Sequence, residues 1–187
     1  MLQRATDPAW IELALSRFDD VLIDHAHCEK KAAAHALSML STFPEVPGLA
    51  RAMARLAREE SGHLAQVLLI LEKRGLELGR DLGDPYAQGL LKHLRNPRPL
   101  RMLDQLLVSA LIEERSRERL ELLANHLSDP ELKTFYARLA ASEAGHGSLF
   151  LRLAKKVSPG EFPTRLETLA AAEAQLIKTL PIRAAIH

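Results

Sequence analysis

Apolar residues recur along the chain at spacings of three and four, a pattern that predicts helices throughout. No convincing stretch alternates apolar and polar residues, so strands are not predicted. Prolines and glycines divide the pattern into five long helices and one short helix. The long helices are predicted at residues 8–42 (in one or two pieces), 47–75, 98–127, 130–157 and 161–180, and the short helix near residues 86–94.

The order of these helices predicts the fold class. Short loops join the first long helix to the second and the third to the fourth, as in antiparallel hairpins, and about twenty residues connect the two pairs. This order is typical of an all-α, ferritin-like four-helix bundle with a long crossover between helices 2 and 3 and an added C-terminal helix. A generic helical bundle has the same periodicity and stays open as an alternative. Residues 1–187 are expected to form one domain.

Polar residues interrupt the apolar stripe of each bundle helix near its middle, where a core position should be apolar. A single Glu in one helix is followed by Glu-x-x-His in the next, and this order occurs twice. The spacing is also repeated, at 31 residues between the first Glu and the second, and at 30 in the second half of the chain. The six residues are Glu29, Glu60, His63, Glu113, Glu143 and His146. One Glu-x-x-His alone would be weak evidence, but the duplicated order indicates two equivalent helical hairpins.

Four carboxylates and two imidazoles that converge in a bundle are the ligand set of a di-iron or di-manganese site. Residues three apart lie on one face of a helix, so a Glu and a His at that spacing can reach the same ion. Two divalent ions would balance four carboxylates, whereas burying the carboxylates unpaired would be very costly. The alternative is that these residues face solvent or form buried ion pairs with Arg115 or Arg117.

Some neighbours of these residues also require an interpretation. Glu114 could point inward in place of Glu113, but the stripe through Glu113 is more consistently apolar and is therefore preferred. His25, His27 and His35 surround Glu29 and lack a Glu three residues before them. We interpret them as surface residues or as residues that support a ligand.

Composition limits the chemistry further. The 25 Lys and Arg nearly balance the 24 Asp and Glu, which excludes a uniformly basic surface for nucleic acids but allows a local patch. Because Cys28 is the only cysteine, a disulfide framework and a cysteine-ligated cluster are excluded within one chain. The apolar runs are too short to span a membrane, and the first ten residues lack the apolar stretch of a signal peptide. We therefore expect a cytoplasmic protein.

A pair of metal ions leaves several functions open. Two ferrous ions held by Glu and His can react with dioxygen, which would serve either iron oxidation and storage or oxygen insertion into a substrate. A manganese pair would serve a manganese catalase. A helical interaction module with a decayed site is the non-enzymatic alternative. The ligand pattern alone does not choose among these functions.

Four segments resemble one known family over roughly residues 10–180. They are LIDHAHCEKKAA in the first long helix, REESGH in the second, LIEERSRERL in the third and SEAGH in the fourth. Together they are similar to the bacterial tRNA 2-methylthio-isopentenyladenosine hydroxylases, and the resemblance includes all six candidate ligands at the expected spacing.

The resemblance implies a non-haem di-iron monooxygenase. Such an enzyme hydroxylates an allylic methyl of the isopentenyl group on the modified adenosine next to the tRNA anticodon. The six Glu and His residues would hold two irons, dioxygen would be the co-substrate, and two electrons would come from an external reductase. The resemblance therefore implies tRNA and an electron donor as partners, and no membrane.

Two basic segments predict a local RNA contact. One lies in the connector before the third long helix and the other at the end of the fourth, and neither contains an acidic residue. Clustered Lys and Arg side chains could hold phosphates, although solvated basic residues near helix ends would look the same in sequence. The predicted contacts are Lys92, Arg95, Arg98, Arg101, Arg152, Lys155 and Lys156.

Overall fold

The computed structural model describes all 187 residues and contains seven helices and no strand. The helices are α1 (Pro8–Ser16), α2 (Phe18–Thr42), α3 (Leu49–Lys73), α4 (Pro85–Leu91), α5 (Arg98–His126), α6 (Pro130–Val157) and α7 (Phe162–Thr179). The prediction of an all-α chain is confirmed, and the first long helix is in two pieces. No helix combines the length and apolar character that crossing a membrane requires.

Residue types at the helix ends explain these bounds. Asp84 and Asp129 cap α4 and α6, where their carboxylates accept hydrogen bonds from backbone N–H groups of the first turn, and a proline follows each cap. Gly48 precedes α3 with φ of 84°, and Gly75 follows it with φ of 69°, a left-handed conformation that favours glycine. A glycine in the left-handed conformation therefore helps to set each end of α3.

The chain divides into two compact units. The first unit comprises Met1–Glu12, Asp84–Arg183 and His187, and the second comprises Leu13–Gly83 and Ala184–Ile186. Each unit contains one of the two predicted long hairpins. The prediction that residues 1–187 form a single domain stays a prediction.

Helices α2 and α3 form the hairpin of the second unit. The two helices run antiparallel, as the ion pair between Asp19 near the start of α2 and Arg74 just after α3 shows, at 2.6 Å. In the middle of the hairpin, Glu29 of α2 lies 3.5 Å from His63 of α3. The stripe predicted for α3 passes through His63 and Ile70, which are only partly buried. The residues that α3 buries agree with it at five positions and add Ala57 and Leu71, giving Leu49, Met53, Leu56, Ala57, Glu60, Val67 and Leu71. The amphipathic pattern therefore fixes which face of α3 packs on α2.

Helices α5 and α6 form the hairpin of the first unit, and the shorter α4 and α7 pack beside α5. Gly147 of α6 lies opposite Ala110 and Glu113 of α5; a Cβ added to Gly147 would lie 3.6 Å from the Glu113 Cβ. That distance is an ordinary van der Waals contact, so Gly147 marks where α6 faces Glu113 and is not required for the packing of the two helices.

A buried ion pair ties α7 to α5 within the first unit. Arg115 of α5 donates hydrogen bonds to Glu173 of α7 at 2.7 and 3.0 Å, and neither side chain is exposed. Tyr86 of α4 donates to the same carboxylate at 3.0 Å. Arg115 also donates to Glu118 and to the backbone carbonyl of Arg4. One guanidinium therefore connects α5, α7 and the segment before α1.

Candidate metal centre

The hairpin of α2 and α3 buries three of the six predicted ligands. Glu29 is 5% exposed and Glu60 is 1% exposed, and the side chain of His63 is 12% exposed. One ligand atom from each of these three residues lies within 4.8 Å of the others. His63 Nδ1 is 3.1 Å from Glu60 Oε2 and 3.5 Å from Glu29 Oε2. We call these three residues the α2–α3 ligand group.

The negative charge of the two carboxylates in this group shifts the pKa of His63. Burial by itself would lower the pKa, but hydrogen bonds to the Glu29 and Glu60 carboxylates outweigh burial and raise the pKa to about 10. A protonated imidazole thus offsets one of the two carboxylates in the metal-free protein. Because a metal ligand must be deprotonated, a cation at this position would take the place of that proton.

The hairpin of α5 and α6 buries the other three predicted ligands. Glu113, Glu143 and His146 are 7%, 4% and 4% exposed. One ligand atom from each of them also lies within 4.8 Å of the others. His146 Nδ1 is 3.5 Å from Glu143 Oε2, one helical turn along α6. These three residues are the α5–α6 ligand group, and its composition is the same as that of the first group.

The structure decides between Glu113 and Glu114. Glu113 is buried opposite Gly147, whereas Glu114 is 22% exposed and pairs with Arg117 at 2.8 Å. The preference for Glu113 as the inward residue agrees with this placement.

The alternative of ion pairs with Arg115 or Arg117 does not hold. Arg115 binds Glu173 and Glu118, and Arg117 binds Glu114 and Glu121. Neither guanidinium is available to the candidate ligands. The buried carboxylates must be balanced in another way.

The donor set of each ligand group fits a divalent transition metal. Two carboxylates and one imidazole leave a formal charge of −2 when the imidazole is neutral, and one divalent cation balances that charge. Mixed imidazole and carboxylate oxygen donors suit iron and manganese. Glu and Glu-x-x-His on paired helices are the ligand arrangement of ferritin-like carboxylate sites. The residues present therefore fit one metal ion for each group.

His25 contacts the candidate ligand Glu29, a contact that the spacing argument did not identify. Its Nε2 lies 2.8 Å from Glu29 Oε1, and the side chain is 2% exposed. The structure excludes a surface position for His25 and places it against the candidate ligand Glu29. The available signal was the spacing of four residues between them, which places both on one face of α2.

The predicted RNA contacts lie in the first unit, and most are exposed. Lys92, Arg98, Arg152, Lys155 and Lys156 are exposed, and Arg101 is half-buried. Arg95 differs from the rest, because its guanidinium binds Asp104 at 2.8 Å and Glu161 at 2.7 Å. The segment has no acidic residue in sequence, but α5 and the start of α7 supply two in space. Arg95 therefore has carboxylate partners within the chain, and all seven RNA contacts stay a prediction.

Seven helices and two matching ligand groups define a protein of the ferritin-like class, with buried carboxylates and imidazoles that could bind metal. The family model described as tRNA-(MS²IO⁶A)-hydroxylase (MiaE) matches residues 1–187. The chain belongs to this family of tRNA hydroxylases.

Two curated relatives carry the same name, tRNA 2-(methylsulfanyl)-N(6)-isopentenyladenosine(37) hydroxylase. The protein from Pseudomonas putida is 41% identical over 175 residues, which are 93% of this chain and 85% of the relative. The protein from Salmonella typhimurium is 38% identical over 125 residues, which are 67% of this chain and 46% of the relative.

A solved structure also matches the whole chain. A Synechococcus protein described as having aldehyde deformylating oxygenase activity superposes with a TM-score of 0.94 at 42% identity, covering 100% of this chain and 94% of that protein. Together with the all-helical architecture, this match confirms the predicted ferritin-like fold class.

Proposed function

We propose that this protein hydroxylates the isopentenyl side chain of 2-methylthio-isopentenyladenosine next to the tRNA anticodon, using a di-iron centre. Membership of the hydroxylase family over the whole chain carries the proposal. The two buried ligand groups support it, because they supply the donors that the chemistry needs. A tRNA substrate would place the reaction in the cytoplasm.

Six residues would hold the two irons: Glu29, Glu60 and His63 from the α2–α3 ligand group, and Glu113, Glu143 and His146 from the α5–α6 ligand group. When bound, the iron pair supplies dioxygen activation and insertion of one oxygen atom into a C–H bond. The balanced reaction consumes the substrate, dioxygen, two electrons and two protons, and yields the hydroxylated nucleoside and water.

The other residues of the hairpins would position the ligands. His25 holds one oxygen of Glu29, which leaves the second carboxylate oxygen for a metal ion. Gly147 of α6 lies opposite Glu113, and its packing would hold the carboxylate on the inner face of α5. The electrons would come from an external donor, because the single cysteine excludes an iron–sulfur cluster within the chain.

A second candidate function follows from the Synechococcus match. Deformylation of an aldehyde would use the same kind of metal centre with a different substrate, and the likeness to that protein covers the entire chain. The two functions differ in whether the oxygen is delivered to a tRNA nucleoside or to an aldehyde.

The experiment supplies iron-loaded, chemically reduced protein with oxygen and tRNA that carries the 2-methylthio-isopentenyl modification. We expect the digested nucleoside to gain the mass of one oxygen atom. Glu60→Gln should abolish the gain, while the matched control Glu59→Gln should retain it, because Glu59 is half-buried and pairs with Arg55 on the outer side of α3. No gain with fully loaded protein would overturn the proposal. Deformylation of an aldehyde under the same conditions would favour the second candidate.

A further inference from the structure

A cleft of about 190 Å³ opens within the first unit, and none of the six candidate ligands or seven predicted RNA contacts lines it. Its walls are formed by the segment before α1, the start of α4, α5, and the end of α7 with the residues after it. Its lining is strongly cationic: it includes Arg4, Arg119, Lys178 and Arg183, with Asp7 as the single acid. Such a concentration of positive charge departs from the near balance of the whole chain.

The floor of the cleft is aromatic but closed to a base. Trp10 is 0% exposed and lies under the Arg119 guanidinium, whose carbon is 4.9 Å from the ring centroid. Tyr86 is 1% exposed and stacks on His187 with ring centroids 5.3 Å apart. Because these rings are already packed, a nucleobase cannot stack on them as it does on exposed aromatic platforms. The cleft can therefore recognise charge and not base identity.

The cations at the rim are not neutralised by the protein. Arg4 and Lys178 are exposed and Arg183 is half-buried. None of the three side chains takes part in an ion pair of the structure, in contrast to Arg95 and Arg115. An anion in the cleft would thus meet cations that have no competing carboxylate partner.

The backbone around these cations is held in place. Arg115 donates a hydrogen bond of 2.7 Å to the carbonyl of Arg4, and the Thr6 N–H donates to Glu118 at 3.2 Å. Asp7 accepts from the Ala9 N–H at 2.9 Å, so its carboxylate serves the first turn of α1. The Arg4 side of the rim is therefore formed before any ligand arrives, which reduces the entropy lost on binding.

We propose that this cleft is a phosphate-binding site that holds a backbone phosphodiester of the RNA substrate, a proposal that rests on the proposed function. Positive charge without base stacking is suited to a contact that positions RNA but carries no sequence information. The cleft adds Arg4, Lys178 and Arg183 to the RNA contacts, and these residues are separate from the basic segments indicated by the sequence.

The test compares two double variants with the same loss of charge. Lys178→Ala/Arg183→Ala removes two cations from the cleft, and Arg58→Ala/Lys73→Ala removes two exposed cations from α3. The dissociation constant for an unmodified tRNA transcript is measured for iron-loaded protein over a range of salt concentrations. For the cleft variant we expect about tenfold weaker binding at low salt. The slope of log affinity against log salt concentration should also be shallower by about 1.5. The α3 variant should bind as the unmodified protein does.

A footprint gives a direct readout at the cleft. Bound tRNA should protect Lys178 from acetylation and leave Lys73 reactive. If tRNA binds while Lys178 stays fully reactive, or if both double variants bind alike, the cleft is not the site. Protection of Lys178 by inorganic phosphate but not by tRNA would assign the cleft to a small phosphorylated molecule and overturn the RNA assignment. These outcomes concern binding alone, so they are distinct from a failure of hydroxylation.

Discussion

His25 and Glu29 lie one turn apart on α2, and the imidazole Nε2 is 2.8 Å from the carboxylate Oε1. Both side chains are buried, so the contact fixes one oxygen of Glu29 where water cannot compete with it. A carboxylate held in this way has a single orientation in which to meet a metal ion. The contact would therefore prepare the α2–α3 ligand group for the metal ion that we propose.

Removing this contact should weaken metal binding. For His25→Phe we expect the affinity of the α2–α3 ligand group for ferrous ion to fall about 10- to 100-fold, as is usual when a residue that orients a ligand is lost. His25→Gln keeps a polar group near Glu29 and should retain part of the affinity. Anaerobic competition against a coloured chelator measures both. His93→Phe, at an exposed histidine, is the control, and equal affinity in His25→Phe and His93→Phe would contradict the positioning role.

Metal binding should also stabilise the fold. Cations relieve the repulsion among buried carboxylates, and a free metal concentration of about one hundred times Kd contributes about 2.7 kcal/mol for each site. For a chain of this size, each site should raise Tm by about 5–10 °C. Calorimetry with and without manganous ion, under conditions that exclude iron, measures the shift.

Matched substitutions show which residues carry this stabilisation. Glu113→Gln should lose a large part of the shift, and Glu114→Gln should keep it, because Glu114 pairs with Arg117. An undiminished shift in Glu113→Gln would exclude that residue as a ligand.

The candidate ligands could be predicted because their signal is local. Glu60 and His63, like Glu143 and His146, interrupt apolar stripes within single helices, and the interruption is visible in sequence without any tertiary contact. Helix ends were predictable for the same reason, since Asp129 with Pro130 and Gly48 act on the adjacent turn. The end of α1 at Ser16 carries no proline or glycine, so its position could not be read from the sequence.

The ion pairs between residues far apart in the chain could not be predicted from the sequence. Arg115 and Arg117 were equally plausible as buried arginines from the sequence, yet Arg117 is 27% exposed and Arg115 is fully buried. Burying Arg115 requires Glu173, which lies 58 residues away on α7. No local pattern indicates which distant carboxylate will neutralise a buried guanidinium. The same holds for Arg95, whose partners Asp104 and Glu161 are brought to it only by folding.

Loss of Glu173 should destabilise the first unit. Glu173→Ala leaves the Arg115 guanidinium buried with one carboxylate fewer and leaves the Tyr86 hydroxyl without its acceptor. We expect a loss of about 3–4 kcal/mol in the free energy of unfolding, in the range found when one partner of a buried ion pair is removed. Urea denaturation measures the loss. Glu167→Ala, at an exposed position of the same helix, should change stability by less than about 0.5 kcal/mol, and equal losses in the two variants would refute the assignment.

A second ion-pair cluster in the first unit should make stability depend on pH. Asp104 is fully buried and accepts hydrogen bonds from Arg95 and Arg165 at 2.8–3.2 Å. Burial by itself would raise the pKa of Asp104, but the hydrogen bonds from the two guanidinium groups outweigh burial and lower the pKa below its ordinary value. The ionised form of Asp104 is therefore favoured by folding.

The sign of the effect follows from this lowered pKa. The stabilisation is fully present above the pKa of about 3.9 that an aspartate has in an unfolded chain, and it is lost as the pH falls through the lower value of the folded protein. Asp104→Asn should therefore lower the free energy of unfolding by about 2–3 kcal/mol at about pH 7, because two guanidinium groups lose their charged partner. The loss should be the same at about pH 5. Below about 4 the difference from the unmodified protein should shrink, as Asp104 itself becomes protonated. Denaturant titrations of both proteins and of the surface control Glu12→Gln measure the difference, and a decrease already evident between pH of about 7 and 5 would show that the folded pKa is not lowered.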